Sequence, residues 1–213
     1  MKILAVSDIE NSLVYSPNIT ERFKGTDITI SCGDLSHDYL DYIASMLNTP
    51  LYYINGNHSG IITNLEINEK RRLPPGGVNI HRRLINAPGN LLIAGIEGSL
   101  RYNYGPYQYT QSDMWMLVFS LVPGMMINHI RFGRFLDIFV THSPPWKIHD
   151  RDDRPHQGIK AFRWFDSVFH PAVHFHGHVH LYHQVDKDRE TNFNKTRILN
   201  CCGYCHIELN PGE

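Results

Sequence analysis

Short polar motifs follow five predicted strands of this 213-residue chain, and their side chains are of the kinds that bind metal ions. The motifs are Asp8-Ile9-Glu10, Gly33-Asp34, Gly56-Asn57-His58, His142 and Gly177-His178-Val179-His180. Carboxylate, amide and imidazole ligands together suit manganese, iron or zinc, and the lack of a thiolate argues against a structural zinc site. The motifs therefore predict a metal centre that does chemistry.

Strands that alternate with helices are predicted to position these motifs. The apolar runs that end at them lie at residues 2–6, 27–31, 51–54, 135–140 and 172–175, and helices are expected over residues 18–24, 38–47 and 158–169, the second opened by Asp38 as a cap. This alternation favours a parallel or mixed sheet layered with helices, in which sites form where loops leave the carboxyl ends of strands.

The middle and the end of the chain are predicted from turn residues and apolar runs. Turns surround strand-like runs at residues 78–81 and 91–95, which we interpret as hairpins rather than crossovers. Residues 111–130 are expected to be helical, with a break at Pro123-Gly124. Two closing strands, near residues 196–200 and 203–209, complete the predicted sheet.

The five motifs resemble, in the same order, those of calcineurin-like metallophosphoesterases: Asp-x-His, Gly-Asp, Gly-Asn-His-(Asp/Glu), His and Gly-His-x-His. Each motif alone is weak, but together they are specific, and the resemblance spans residues 8–180. It implies a four-layer α/β/β/α sandwich with two mixed sheets, in one domain over residues 1–213. The run Thr141-His142-Ser143-Pro144-Pro145 is similar to the cyclic-nucleotide-phosphodiesterase-like branch and its small prokaryotic relatives.

The resemblance also implies a ligand set for two divalent ions. Asp8, Glu10, Asp34 and His180 would hold one ion, and Asp34, Asn57, His142 and His178 the other. A carboxylate at Asp34 can bridge because it has two oxygens, whereas an imidazole offers one lone pair. Manganese is the expected metal, with iron, zinc, magnesium and nickel as alternatives. Two such ions turn a shared water into hydroxide for in-line attack, and His58 would assist the leaving group.

Two positions depart from the family pattern. Glu10 stands in place of the usual histidine, where an oxygen ligand would favour manganese or magnesium over zinc; the alternative is that Glu10 is an exposed loop carboxylate. Ser59 follows His58 where an acid is common, so the partner that orients His58 is either missing or supplied elsewhere.

Composition narrows the possible functions. A formal net charge of −1 gives no basic field for sequence-independent nucleic-acid binding. No apolar run approaches the ~18 residues that a bilayer crossing needs, and the first run is broken too early for a signal peptide. Four cysteines do not form a secreted disulfide framework. We therefore expect a cytoplasmic protein with reduced thiols, no membrane partner and no nucleic-acid partner.

Several residues near the motifs have two interpretations. His37, His149, His156, His174, His176 and His183 are expected to be surface or structural residues, because 14 histidines exceed what one centre uses. Two interpretations are open for Arg151, Arg154 and His156: they contact a substrate, or they are solvated loop charges. We expect Arg71-Arg72 and Arg82-Arg83 to be solvated charges. Tyrosines at 102, 104, 107 and 109 either stack on a base or pack, and Cys201, Cys202 and Cys205 are interpreted as small core residues.

Hydrolysis of a phosphodiester in a small, nucleotide-like substrate is the predicted function. The alternatives in the same class are a phosphomonoesterase and a nuclease. A catalytically silent scaffold is the alternative from another class, and the retention of His58 with nearly every ligand argues against it.

Overall fold

A computed structural model describes residues 1–59, 76–181 and 189–212 of the chain. The predicted surface charges at Arg71-Arg72 and the histidine at position 183 lie outside the described residues. Two large mixed sheets, flanked by helices, make up the architecture that the sequence predicted.

The first sheet has five strands in the order β13-β1-β2-β3-β4. They are β1 (Lys2–Ser7), β2 (Ile28–Ser31), β3 (Leu51–Tyr53), β4 (Gly77–Asn79) and β13 (Gly203–Glu208). The first four run parallel, and β13 is antiparallel to β1. The carboxyl ends of β1, β2 and β3 therefore lie side by side along one edge.

The second sheet has six strands in the order β11-β12-β10-β9-β6-β5. They are β5 (Leu84–Ala87), β6 (Leu91–Ile96), β9 (Ile138–Thr141), β10 (Val173–His176), β11 (Glu190–Phe193) and β12 (Thr196–Asn200). The four central strands are parallel, and the two edge strands are antiparallel to their neighbours. A small separate pair joins β7 (Ser99–Leu100) to β8 (Gln108–Tyr109).

In the described part of the chain, four α-helices complete the layers: α1 (Ile19–Arg22), α2 (His37–Leu47), α3 (Gln111–Phe132) and α4 (Lys160–Phe169). One apolar cluster fills the space between the two sheets, and a second joins the first sheet to α1 and α2. A third lies between the second sheet and the helices α3 and α4. The order of layers is thus helix, sheet, sheet, helix.

The helix α3 differs from its prediction. It runs unbroken from Gln111 to Phe132, although Pro123 lies inside it. Pro123 is on the exposed face, while Leu121 and Met125 on either side of it are buried in the core. Packing on both sides of the proline therefore keeps the two halves in one helix, against the local cost of the missing hydrogen bond.

Three smaller predictions were also wrong. Asp38 does not cap α2; Ser36 does, accepting a hydrogen bond from the Tyr39 N–H at 3.2 Å. Residues 77–79 form a parallel strand beside β3 rather than a hairpin, whereas β5 and β6 do form one. The two closing strands join different sheets, β12 the second and β13 the first, instead of completing a single sheet.

Among the described residues, no helix combines the length and the apolar character that would let it cross a membrane.

Candidate metal centre

The predicted ligands lie where the two sheets meet at the carboxyl ends of their parallel strands. Asp8 directly follows β1, Asp34 follows β2 and Asn57 follows β3, all in the first sheet. From the second sheet, His142 directly follows β9, and His178 comes two residues after β10. Residues up to 170 positions apart in sequence are brought together: the His178 N–H donates a 2.9 Å hydrogen bond to Asp8 Oδ2.

Three of these residues have left-handed backbone geometry, which non-glycine residues rarely adopt. The φ angles of Asp8, Asp34 and His178 are 62°, 57° and 68°. Such conformations cost about 1–3 kcal/mol each and are typical of functional sites, where the surrounding structure enforces them. Each turns the chain sharply at the strand exit and aims the side chain into the space between the sheets.

Asp8, Asp34 and His142 form the core of the site. One ligand atom from each lies within 4.8 Å of the others, the arrangement that a bound cation needs. His142 Nε2 is 3.2 Å from Asp34 Oδ2 and 3.0 Å from Asn57 Oδ1. These atoms converge from both sheets on one point.

The ring of His142 is held so that Nε2 faces this point. Its Nδ1 lies 2.8 Å from the carbonyl oxygen of Cys32, so Nδ1 carries the proton of the neutral ring and Nε2 carries the lone pair. Burial disfavours the charged imidazole, but the carboxylates of Asp34 and Asp8 outweigh it and raise the pKa of His142 to about 9. The negative charge of the site that attracts this proton would equally attract a metal cation.

The two aspartates differ in their ionisation. Burial favours the neutral form of both, and it raises the pKa of Asp8 although the charge of His142 opposes this shift. At Asp34 burial is outweighed by the charge and proximity of His142 and by the His58 N–H at 2.8 Å, which together lower its pKa to about 2. Asp34, the predicted bridge, is therefore the carboxylate that stays ionised most readily.

His178 and His180 complete the side of the site that belongs to the second sheet. His178 Nε2 is 2.7 Å from the Pro155 carbonyl oxygen, which leaves Nδ1 with the lone pair. Its ring centroid is 4.8 Å from that of His142, and burial, reinforced by the charge of His142, lowers its pKa to about 3. His178 is thus neutral, as a ligand must be. His180 Nε2 lies 3.8 Å from Asp8 Oδ1.

Asn57 is oriented by a tyrosine that the sequence did not single out. Its side-chain Nδ2 donates a 3.0 Å hydrogen bond to the hydroxyl of Tyr102, so its oxygen faces His142. Tyr102 belongs to the aromatic loop, for which stacking and packing were the two interpretations. No spacing in the sequence marks a contact between residues 45 apart.

Ser59 contacts the bridge rather than the neighbouring histidine. Its hydroxyl lies 3.2 Å from Asp34 Oδ1 and accepts a hydrogen bond from the Gly56 N–H at 2.8 Å. The loop that carries Asn57 is also held at Asn55. The side-chain amide of Asn55 donates to Glu97 at 2.8 Å, and its carbonyl oxygen accepts from the Gly98 N–H at 2.9 Å. Ser59 therefore supports the Asp34 carboxylate, whereas the acid that is common at this position in the family would orient the histidine.

Glu10 and His58 are both exposed. The carboxylate of Glu10 accepts a hydrogen bond from the Ser36 hydroxyl, which ties it to the cap of α2. The backbone N–H of His58 donates a hydrogen bond to Asp34, while its side chain is exposed. Ligation by Glu10 and catalysis by His58 stay predictions.

Three features fit the donor set to metal ions. Asp34 Oδ2 is buried and has no well-directed hydrogen bond among the described residues, so its contact with His142 is an ion pair. Gly56 leaves room that any side chain would take from Asp34 and His142, and Gly177 does the same beside Asp8. The donors are carboxylate and amide oxygens together with imidazole nitrogens, a set suited to hard and intermediate divalent ions.

The flanking histidines that we left out of the centre have other partners. His174 Nδ1 is 2.9 Å from the buried Asp166, and its Nε2 is 2.8 Å from the hydroxyl of Thr141. His149 lies between His176 and the hydroxyl of Thr191, at 2.9 Å from each. These buried networks are structural, in line with the sequence interpretation.

The loop of residues 147–157 forms one wall of the centre. Arg151 donates a 2.8 Å hydrogen bond to the carbonyl oxygen of His180, and the His156 ring lies 5.2 Å from that of His178. His156 Nδ1 is 2.5 Å from Asp153. Of the three loop residues that the sequence suggested for substrate contact, Arg151 and His156 therefore border the predicted ligands, and Arg154, which is exposed, precedes the Pro155 that anchors His178.

Comparisons with known proteins agree with this geometry. The family model for calcineurin-like phosphoesterases matches residues 1–182. Among solved structures, one crystal structure has a TM-score of 0.63 at 14% identity and covers 97% of this chain and 94% of its own. The protein TT1561 of Thermus thermophilus has a TM-score of 0.58 at 15% identity, covering 95% and 89%. GAP50, described as the anchor in the inner membrane complex of Plasmodium, has a TM-score of 0.50 at 11% identity, covering 95% and 71%. The comparison with curated proteins found no match.

Proposed function

Because the chain belongs to the calcineurin-like phosphoesterase family, whose members are metal-dependent phosphoester hydrolases, we propose that it hydrolyses phosphodiesters at the site built around Asp8, Asp34 and His142. The observation that carries this proposal is the convergence of their ligand atoms within 4.8 Å at the junction of the two sheets. Two divalent ions bound there would supply an activated water and neutralise charge on the phosphoryl oxygens. Manganese is the metal we propose.

The proposed ligands divide between the two ions as follows. Asp8, Glu10 and His180 serve the first ion, Asn57, His142 and His178 serve the second, and Asp34 serves both. The anchoring of Nδ1 of His142 and of Nε2 of His178 by backbone carbonyls supports this division, because each ring keeps one lone pair for the site. The amide of Asn57 is turned the same way by Tyr102.

His58 is the residue we assign to the leaving group. Its backbone N–H donates a hydrogen bond to Asp34, which places His58 next to the proposed bridge, and its exposed imidazole is accessible to a substrate. A protonated imidazole there donates its proton to the departing oxygen as the P–O bond breaks. The residue then recovers a proton from solvent.

Small phosphodiesters, nucleotide-like ones included, are the proposed substrates. The run from Thr141 to Pro145 supports this choice through its similarity to the phosphodiesterase branch. A phosphodiester carries one negative charge, which its two non-bridging oxygens share. Arg151, which is hydrogen-bonded to His180, offers a positive charge to these oxygens. Four cysteines without a disulfide among them fit a reducing compartment, and we propose a cytoplasmic location.

A substrate panel tests the proposal. The purified protein, loaded with Mn²⁺, is assayed with a chromogenic phosphodiester, a matched phosphomonoester and single- and double-stranded DNA. We expect the diester to have the highest kcat/KM and EDTA to abolish turnover. Higher kcat/KM with the monoester or with DNA would replace phosphodiesterase by the corresponding activity, and no turnover of any of them would favour the silent scaffold.

Two variants test the roles of the residues. Asp34→Asn should abolish turnover and weaken the binding of both ions, because the bridge loses its charge. His58→Ala should lower kcat by about 10²–10⁴-fold, the usual contribution of a general acid, with metal stoichiometry unchanged. Isothermal titration with Mn²⁺ alongside the assay separates the two effects. Normal turnover by Asp34→Asn would show that the bridge is assigned to the wrong residue.

A further inference from the structure

The helix α3 is apolar on two opposite faces. Its buried face consists of Met114, Val118, Leu121 and Met125, which contact the second sheet and α4. The opposite face carries Met116, Phe119, Met126, Ile127 and Ile130, which are exposed by 64%, 51%, 46%, 52% and 81%. Of the eleven large hydrophobic side chains that are exposed among the described residues, these five lie on this one helix, and we call them the α3 stripe.

Helical periodicity makes the stripe continuous. Its successive members are three, seven, one and three residues apart, and the exposed Pro123 fills the gap in the middle. A surface helix of a globular protein normally places polar residues opposite its core face, and a helix that is apolar all round is normally buried. A contiguous exposed patch of this kind is typical of an interaction surface.

Near one end of the stripe, Phe119 is in contact with two tryptophan rings. The ring of Phe119 stacks on Trp115 at 5.5 Å and meets Trp164 edge-on at 5.3 Å. An aromatic side chain that is held in place before binding loses little conformational freedom when a partner covers it. Phe119 therefore has the properties of an anchor residue.

We propose that the α3 stripe is the interface of a symmetric homodimer. The stripe runs from Met116 to Ile130 and is therefore about 21 Å long, while a standard interface covers about 800 Å² of each partner, a patch about 30 Å across. The stripe thus has the size of the apolar centre of such an interface, which the polar residues around it would complete as a rim. In a twofold arrangement the same patch is used by both copies, so it must match itself.

The distribution of charge along α3 favours a second copy of this chain as the binding partner. The acidic and basic residues of α3 are Asp113 in the first turn and His129 and Arg131 in the last, so the stripe from Met116 to Ile127 carries no charge. An uncharged apolar stripe is complementary to itself, and antiparallel pairing would bring Asp113 of one copy towards Arg131 of the other. A helix that binds lipid surfaces is instead rich in lysine and arginine beside its apolar face.

Sedimentation equilibrium of the full chain tests the proposal. The wild type, at 24.6 kDa per chain, should sediment with twice that mass at micromolar concentrations. Met126→Glu, in the middle of the stripe, should raise the dimer dissociation constant by at least about tenfold, because each copy would bury an unpaired carboxylate. Met46→Glu is the matched control, since Met46 is also a helical methionine, is 39% exposed and lies on α2; it should dimerise like the wild type.

Further measurements distinguish the homodimer from the alternative explanations of the stripe. Far-UV circular dichroism verifies that both variants are folded, and Ile130→Glu, at the most exposed position, provides a second disruption that places no strain on the core. A monomeric wild type at 100 μM, about the upper end of the concentrations used for such measurements, would overturn the proposal. If that monomer floated with phosphatidylcholine or phosphatidylserine vesicles, the stripe would be a lipid-binding surface instead. A dimer that persisted in both Met126→Glu and Ile130→Glu would place the interface elsewhere.

Discussion

Backbone carbonyls and one tyrosine orient the donor atoms of the metal centre. Cys32 and Pro155 each hold the ring nitrogen that faces away from the site, and Tyr102 holds the amide nitrogen of Asn57. Partners of this kind fix the direction of a ligand, and their loss typically lowers metal affinity or activity by about 10–100-fold. At the residue scale, the precision of the centre therefore depends on groups that never touch the metal.

Removing the Tyr102 hydroxyl tests this dependence. Tyr102→Phe frees the Asn57 amide to rotate, so we expect Mn²⁺ affinity or kcat/KM to fall by about 10–100-fold. Tyr104→Phe is the matched control, because Tyr104 lies in the same loop and is fully exposed. Isothermal titration with Mn²⁺ and the diester assay measure the two quantities. Equal behaviour of the two variants would mean that the contact with Asn57 does not matter for function.

Glu10 tests the composition of the first metal site. Its carboxylate is tied to the Ser36 hydroxyl at the start of α2, so its position is restrained whether or not it binds a metal. Replacing this oxygen donor with imidazole in Glu10→His should raise the affinity for Zn²⁺ relative to Mn²⁺, because imidazole is the softer ligand. Competitive metal titrations measure the ratio. An unchanged ratio would identify Glu10 as a loop carboxylate outside the centre.

At the scale of elements, α3 begins with a reciprocal cap that depends on charge. The Thr110 hydroxyl accepts from the Asp113 N–H at 3.1 Å, and the Asp113 carboxylate accepts from the Thr110 N–H at 2.8 Å. The backbone hydrogen bond from Thr110, followed by its hydroxyl, lowers the pKa of Asp113 below its usual value. The backbone and the hydroxyl of Thr110 thus both favour the ionised carboxylate of Asp113 in the folded protein.

This shift predicts a pH dependence of stability. Since the folded pKa of Asp113 lies below the unfolded one, its contribution is complete above the unfolded pKa and is lost as the pH falls through the folded pKa. Asp113→Asn should therefore lower the Tm at pH 7, and the difference from the wild type should vanish in strong acid. Thermal melts from pH 7 to pH 2 measure it, with Asp152→Asn in an exposed loop as the control. A difference that stayed constant across this range would exclude the carboxylate charge as the cause.

The elements also show how far the sequence alone predicts the fold. Most strands and helices were located within a few residues, because apolar runs and turn residues mark them directly. The neighbouring strands of β12 and β13 were not predicted, since two short apolar strands near the end of the chain fit either sheet equally well. The continuity of α3 through Pro123 was missed for a related reason: tertiary packing by Leu121 and Met125 overrides a local signal.

The candidate site follows the same division. Its motifs could be located because each potential ligand lies within a few residues of the end of a strand, in an order that resembles a known family. The roles of the backbone carbonyls of Cys32 and Pro155 could not be predicted, since any residue type supplies a carbonyl. The left-handed geometry of Asp8 and His178 could not be predicted either. The sequence thus indicates candidate ligands more readily than the groups that hold them in place.

At the scale of the whole molecule, bound cations would connect the two sheets. Asp8, Asp34 and Asn57 come from the first sheet, while His142 and His178 come from the second, and the apolar cluster between the sheets supplies the other connection. A cation that binds these residues together binds the folded state and not the unfolded chain, so it should stabilise the whole sandwich. The effect of metal should therefore extend well beyond the site.

Thermal unfolding with and without Mn²⁺ tests this connection. A ligand at 100 times its Kd adds about 2.7 kcal/mol to the free energy of unfolding, which corresponds to a rise in Tm of about 5–10 °C for a chain of this size. Asp34→Asn should show a much smaller rise, since the residue predicted to contact both ions has lost its charge. His58→Ala is the control: it should keep the full rise, because His58 is assigned to the leaving group and not to the metals. A full rise in Asp34→Asn would show that the ions which stabilise the fold are held without the bridge.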